Sequence, residues 1–152
     1  MASYTVQLEN AAAIPLAVIR RVTNQNELSK VVPERCGLVW SAMKEQGVKA
    51  GRHVAIYWNS DIRLDVGVEV EGPFTERDPV ISSSTPAGVV AFASHFGPYG
   101  GLASAHRAIR DWCKANGQRL AGPNWEIYGH WQPEWNTNPA LIRTDVFYQI
   151  AP

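Results

Sequence analysis

The 152-residue sequence lacks most features that mark membrane, secreted and nucleic-acid-binding proteins. Its two cysteines, Cys36 and Cys113, fall in helix-like segments where a buried thiol is the default, so no disulfide is expected. Acidic and basic residues balance at 14 each without a basic run, which argues against direct nucleic-acid binding. No apolar stretch approaches the roughly 18 residues of a membrane span, and the N-terminus lacks a signal-peptide pattern. We therefore expect a cytoplasmic protein with no membrane partner.

Common catalytic and metal-binding motifs are also missing. The four histidines do not stand at metal-ligand spacing with the cysteines, so neither a metal nor another cofactor is predicted. The glycine-rich run at 97–101 lacks the lysine and the spacing of a phosphate loop, and no Gly-x-Ser-x-Gly elbow occurs. Tryptophan is plentiful instead, with six residues, which indicates a binding surface made of flat apolar groups.

The chain reads as one strand–helix–strand–strand unit written twice. Lys44–Gly47 and Lys114–Gly117 each end a helical segment with a glycine suited to the left-handed C-cap. Aligning the strands that follow on Tyr57 and Tyr128 gives an offset of 71 (128 − 57). We predict an α+β fold in which tandem β-α-β-β units pack about a pseudo-twofold axis with a central ligand cleft. A single domain of residues 1–152 then divides into repeat one (about 4–71), a linker (about 72–86) and repeat two (about 87–152).

The element boundaries follow from hydrophobic periodicity. Helices are predicted over about 27–46 and 101–116, and Pro33 should break or kink the start of the first. Trp40 falls off the apolar stripe of that helix, so it is either the edge of a broad core or a wall of the cleft. Strands are predicted over 16–19, 53–58, 65–70, 80–83, 89–92, 124–129 and 145–150.

Glu126 is an acid inside an otherwise apolar, aromatic strand. A carboxylate is costly to bury alone, so it needs a partner, a shift toward its neutral form or a positively charged guest, unless it lies on a wet face. Strand side chains alternate between faces, and the consistently apolar set should lie under the helices. The helix-free face should therefore carry four site residues: Glu126, Tyr128, Tyr57 and Phe147.

Three segments, Ser94–Leu102, Ala121–Tyr128 and Arg143–Val146, resemble the GyrI-like (gyrase-inhibitor-like) small-molecule-binding domains. These are also the effector-binding domains of multidrug-responsive transcription regulators. The resemblance covers nearly the whole chain and implies a duplicated, SHS2-like fold whose hydrophobic cleft holds Glu126 against cationic or polyaromatic ligands. The family's Asp-Pro after this strand is replaced here near Gln132–Trp135, which alters the rim of the cleft.

Three functions are compatible with the resemblance. The first is a stand-alone binder of cationic or polyaromatic drug-like compounds, with Glu126, Tyr128, Tyr57, Phe147 and Trp40 as ligand-binding residues. The second is a hydrolase of cyclopropane-bearing toxins, with Glu126 and Tyr128 as catalytic residues. The third is a protein-interaction module of the gyrase-inhibitor kind. Exposed sheet edges would also permit a homodimer.

Overall fold

One antiparallel sheet of eight strands organises the described part of the chain. The computed structural model describes residues 4–22, 28–58 and 63–152, with side chains except at 21–22 and 28–36. Two α-helices accompany the sheet, so the α+β class is confirmed. The elements are β1 (Gln7–Ala11), β2 (Pro15–Val22), α1 (Leu28–Glu45), β3 (Ala50–Tyr57), β4 (Arg63–Val70), β5 (Val80–Ser84), β6 (Gly88–Phe96), α2 (Leu102–Ala115), β7 (Leu120–Tyr128) and β8 (Arg143–Ile150).

The sheet curls because short links join its two ends. Its strand order is β1-β6-β8-β7-β3-β4-β2-β5. In a flat sheet β1 and β2 would lie about 29 Å apart, six spacings of roughly 4.8 Å. Only residues 12–14 connect them, and the four steps from Ala11 to Pro15 reach at most about 14 Å. Residues 85–87 join β5 to β6 across the same distance, and the backbones of Ile14 and Thr85 hydrogen-bond at 3.1 Å where the two links meet.

The inside of this curl is a closed apolar core without a helix. Val18, Val54, Ile56 and Val90 are fully buried there, although their strands are spread along the sheet. Trp125 lies in the same cluster and stacks on Phe147, with ring centroids 5.5 Å apart and planes 8° apart. The centre of the inner face is therefore filled by apolar side chains of the sheet itself.

Both helices lie on the outer face of the sheet. α1 packs on β2, β3 and β4, and α2 packs on β6 and β8. Val39 and Met43 of α1 meet Val68, whereas Ile109 of α2 meets Val146. The central strands β3 and β7 therefore run along the floor between the two helices.

The helix ends follow the predicted chemistry. Gly47 and Gly117 adopt the left-handed conformation, with φ of 68° and 69°, so the predicted C-caps are confirmed. α1 extends as one helix past Pro33, so the predicted break does not occur. Within the described ranges, no helix is long and apolar enough to cross a membrane.

The predicted face assignment of the central strands was wrong. Residues paired across neighbouring strands share a face, and Glu126 pairs with Val146 while Trp125 pairs with Phe147. Glu126, Tyr128 and Tyr57 therefore lie on the helix-bearing face, and Phe147 lies on the opposite face. The error arose because the more apolar set was placed under the helices, whereas the curled sheet buries that set inside itself.

Seven strands were predicted and all are present, but β1 was not predicted. Its sequence, Gln7–Ala11, is polar and mostly exposed, since the strand pairs only with β6 at one end of the sheet. An edge strand of this kind shows little of the alternation that marks a half-buried strand.

Candidate functional site

The candidate site is the groove between α1 and α2, and its floor is the β3–β7 pair. In this pair Ala55 stands directly opposite Glu126, and Tyr57 stands opposite Asn124. Ala55 is fully buried and carries only a methyl group, so it leaves space beside the longer acid. The register places one carboxylate at the centre of the sheet's outer face.

Glu126 is 5% exposed, and three side chains direct hydrogen bonds at its carboxylate. Tyr128 donates to Oε1 at 2.7 Å and Tyr57 donates to the same oxygen at 3.3 Å. His106 of α2 lies with Nε2 2.8 Å from Oε2. The buried acid is thus satisfied by hydrogen bonds, as burial requires.

A chain of hydrogen bonds continues from His106 away from the acid. His106 Nδ1 lies 2.6 Å from the hydroxyl of Tyr148, and Arg110 donates to that hydroxyl at 3.0 Å. Burial raises the pKa of Tyr148 and the charge of Glu126 adds to the rise, while Arg110 opposes it. The Tyr148 hydroxyl therefore keeps its proton at neutral pH and has it to donate.

Aromatic side chains line the groove above this network. Trp40 of α1 is 41% exposed and packs on His53 of β3, with ring centroids 5.5 Å apart. Tyr99, just before α2, is 45% exposed and meets Tyr128 edge-on at 5.6 Å. These exposed rings pack on side chains of the β3–β7 pair that holds the acid, and a flat ligand could pack on them in turn.

His53 contributes an unsatisfied polar atom to the same floor. Its Nδ1 is buried and, within the described part of the chain, has no hydrogen-bond partner. Burial lowers the pKa of His53, and the nearby His130 lowers it further. Because the neutral ring is favoured, His53 adds no positive charge to the groove at neutral pH.

Two other acids of the described residues, the buried Asp65 and the partly buried Glu69, are held by arginines. Arg20 contacts both oxygens of Asp65, at 2.6 and 2.8 Å, and Arg52 contacts both of Glu69, at 2.9 and 3.0 Å. Burial would raise the pKa of each acid, but hydrogen bonds led by those from the arginines outweigh it and hold both pKa values low. Glu126 differs, because among the side chains that the structure describes no arginine or lysine forms an ion pair with it.

The structure brings together most of the residues predicted for the site. Glu126, Tyr128 and Tyr57 form one hydrogen-bonded group, and Trp40 stands on the α1 side of the same groove. Phe147 does not join them, because it stacks on Trp125 inside the curl. The site therefore keeps four of its five predicted members, whose roles in binding remain predictions.

Sequence reasoning missed His106, Arg110 and Tyr148. His106 and Arg110 are four residues apart and border the buried stripe of Ala105 and Ile109, so they share one flank of α2. The ring of Tyr148 packs in the core beneath α2, and only its hydroxyl reaches the hydrogen-bonded chain. An i, i+4 pair of His and Arg beside an apolar stripe was the signal available.

Other features of the described residues offer less chemistry. A cavity of about 560 Å³ lies between β2 and the segment after β4, away from Glu126. Its acid, Glu71, faces the exposed Lys49 at 3.5 Å. His95 is fully used by Tyr4 and by the carbonyl of Pro98. No cluster of three metal-ligating side chains occurs in the described ranges.

Comparison with solved structures supports the fold. The C-terminal domain of EcmrR has a TM-score of 0.80 at 19% identity, covering 97% of this chain and 98% of that chain. EcmrR in its complex with DNA matches with a TM-score of 0.78, and the match covers 57% of that chain. SAV2435 bound to tetraphenylphosphonium matches at 0.63 and 11% identity, with 99% and 94% covered. A hydrolase from Listeria innocua matches at 0.62 and 12% identity, with 96% and 91% covered.

No curated protein gives a match. In sequence, residues 4–151 match the family described as the GyrI-like small molecule binding domain. This match spans nearly the whole chain and includes the β3–β7 floor and both helices. The chain therefore belongs to the GyrI-like small molecule binding domain family.

Proposed function

We propose that this domain captures cationic aromatic compounds in the groove between α1 and α2, with Glu126 as the counter-charge. The observation that carries the proposal is the surroundings of Glu126. Tyr57 and Tyr128 satisfy the acid with neutral hydroxyl groups, and no arginine whose side chain is described pairs with it. Buried acids that only support the fold, such as Asp65, carry an arginine partner instead.

The physical basis is the low polarity of the site. A buried charge interacts more strongly with a guest than an exposed one, since less water screens it. The rings of Trp40, Tyr99 and Tyr128 add apolar contact and cation–π attraction, which is about 0.5–2 kcal/mol per ring. Together these terms favour a flat or bulky cation over a neutral molecule of the same size.

An internal duplication would place this groove on a pseudo-twofold axis. Read towards its centre, the sheet runs β6-β8-β7 in one half and β2-β4-β3 in the other, so each half places the first, third and second strand of its unit in the same order. The offset of 71 equates Ala55 with Glu126, and these two residues pair with each other. An axis through this pair would give the groove two similar walls and a single acid, which suits one monocationic guest.

A protein of the same fold gives independent support. SAV2435 has been solved with tetraphenylphosphonium, a bulky lipophilic cation with four aromatic rings. A guest of this class combines the charge and the rings that the groove is suited to receive.

The test compares a cation with a neutral analogue. Binding of tetraphenylphosphonium and of triphenylphosphine oxide would be measured by calorimetry for the wild type, for Glu126→Gln and for Glu134→Gln, an exposed acid that serves as control. We expect Glu126→Gln to weaken binding of the cation by about tenfold or more, equivalent to about 1.4 kcal/mol. Binding of the oxide should weaken by much less. Equal losses for both compounds would contradict the role of charge.

A second candidate, hydrolysis of a cyclopropane-bearing electrophile, is favoured by the contact between His106 and Glu126. A carboxylate beside an imidazole can deprotonate and orient a water, and Tyr128 can donate a proton to the opened ring. Incubation with such compounds, followed by mass spectrometry for a gain of one water, tests this reading. Product above background that disappears in Glu126→Gln supports it, and none across several compounds rejects it.

A further inference from the structure

We propose that Arg110, acting through Tyr148, keeps His106 neutral and thereby leaves the charge of Glu126 available to a cationic guest. Arg110 is then a positioning residue that sets the pH range of cation binding. This inference rests on the proposed function, because it concerns the same groove.

The hydrogen-bond directions carry the argument. Arg110 can only donate, so the Tyr148 hydroxyl accepts from it at 3.0 Å. The hydroxyl's own proton is then directed at His106 Nδ1, 2.6 Å away, which makes Nδ1 an acceptor. The remaining hydrogen of a neutral His106 stands on Nε2 and is donated to Glu126. Each of the three contacts from Arg110 to Glu126 therefore pairs one donor with one acceptor.

A second proton on His106 would break this order. Nδ1–H would then donate to the Tyr148 hydroxyl across 2.6 Å, and the hydroxyl's own hydrogen would have to turn away from His106. Tyr148 is only 5% exposed, so its displaced hydrogen would have no water to turn to. The positive charge of Arg110 on the same helix also opposes a further charge on the ring.

Other groups that face His106 also influence its charge. Glu126 favours a positive ring, whereas the hydroxyl groups of Tyr128 and Tyr148 are neutral. His53 on β3 lies opposite Tyr128, and its protonation would add a positive charge to the floor. That change would weaken cation binding in the wild type and in α2 variants alike. The informative quantity is therefore the difference between proteins at each pH.

The first measurement needs no ligand. Long-range proton–nitrogen NMR of the histidine rings would follow His106 from pH 8 to 5.5 in the wild type, Arg110→Leu and Tyr148→Phe. We expect the Nε2–H form in the wild type, and protonation at higher pH in both variants. Arg107→Leu, which removes an exposed arginine from the same helix, should leave the His106 titration unchanged. The opposite ring form in the wild type, or one titration for all four proteins, would overturn the proposal.

The second measurement is tetraphenylphosphonium binding to the same proteins across that pH range. In Arg110→Leu, a proton taken up by His106 at low pH would place a positive charge against Glu126, at the contact between His106 Nε2 and Oε2. Affinity should then fall more steeply with pH than in the wild type or Arg107→Leu, by about severalfold at the acidic end of the range. If the affinities of the variants and of the wild type changed with pH in parallel, the inference would be contradicted. Absence of binding to the wild type at every pH would reject the proposed function, while the NMR result would still decide the state of His106.

Discussion

Glu126 lies directly opposite Ala55 where β7 pairs with β3, so the acid at the centre of the sheet faces a methyl group. Ala55 packs with Leu64 and Val66, and none of these side chains bears a charge. The nearby hydroxyls of Tyr57 and Tyr128 hydrogen-bond the acid without neutralising it. This arrangement separates the charge of Glu126 from the stability of the fold.

Two acid-to-amide substitutions should therefore differ in stability. Asp65→Asn leaves Arg20 without its carboxylate and should lower the free energy of unfolding by about 3 kcal/mol. Glu126→Gln removes a charge that no described arginine balances, so we expect a change within about 1 kcal/mol. Urea unfolding of both variants measures the contrast. A larger loss for Glu126→Gln than for Asp65→Asn would show that Glu126 supports the fold.

Stability should fall on acidification because of His53. Burial lowers its pKa in the folded state, so between about pH 6.5 and that lower value the unfolded chain binds more protons. Stability from the neutral ring is thus present above about pH 6.5 and lost below it, by at most about 1.4 kcal/mol per pH unit for one proton. Thermal unfolding of wild type and His53→Gln between pH 7.5 and 5 tests this, since the variant should lose much of the slope. His130→Gln should retain most of it, because burial is the larger cause. An unchanged slope in His53→Gln would contradict the assignment.

Trp40 should act on ligands and not on folding. Its ring is 41% exposed and rests on His53, so Trp40→Ala should change the free energy of unfolding by less than about 1 kcal/mol. The same substitution should weaken the binding of tetraphenylphosphonium by about severalfold, because it removes a stacking surface that contributes about 0.5–2 kcal/mol. Trp131→Ala, at an exposed position after β7, serves as the control. Equal effects of the two substitutions on binding would remove Trp40 from the site.

Two glycine substitutions, one in the sheet and one in α1, should change stability in opposite directions. A Cβ at Gly67 would stand 1.8 Å from the carbonyl oxygen of Ala17, so Gly67→Ala should destabilise the protein by about 3 kcal/mol or more. Gly37 lies inside α1 with open space around it, so Gly37→Ala should stabilise by about 0.5–1 kcal/mol. Chemical unfolding curves measure the change in the free energy of unfolding for both variants. Tolerance of alanine at Gly67 would mean that β2 and β4 lie farther apart than described.

Local patterns were sufficient to predict much of this fold. Alternation and glycine placement gave the two helices, seven strands and the C-caps at Gly47 and Gly117, because these depend on neighbours in sequence. The faces of the central strands could not be found this way. Glu126 and Trp125 alternate as expected, but which of them lies under the helices depends on how far the sheet curls. That curl is set by the short links at 12–14 and 85–87, far from β7 in sequence.

The candidate site was predicted as far as single residues allow. Glu126 was evident as an acid in an aromatic strand, and Tyr57 followed from the offset of 71. The partners His106 and Tyr148 were not evident, since each reads as an ordinary residue of a helix or a strand. Their roles arise only where α2 meets β7 and β8, at contacts of 2.6 and 2.8 Å that no spacing along the chain encodes.

The most direct test of the central claim is a crystal structure of the protein soaked with tetraphenylphosphonium. We expect the phosphorus centre within about 6 Å of the Glu126 carboxylate, with phenyl rings packed against Trp40 and Tyr128. A guest seated elsewhere, for example in the cavity beside Glu71, with the Glu126 hydrogen bonds unchanged, would contradict it.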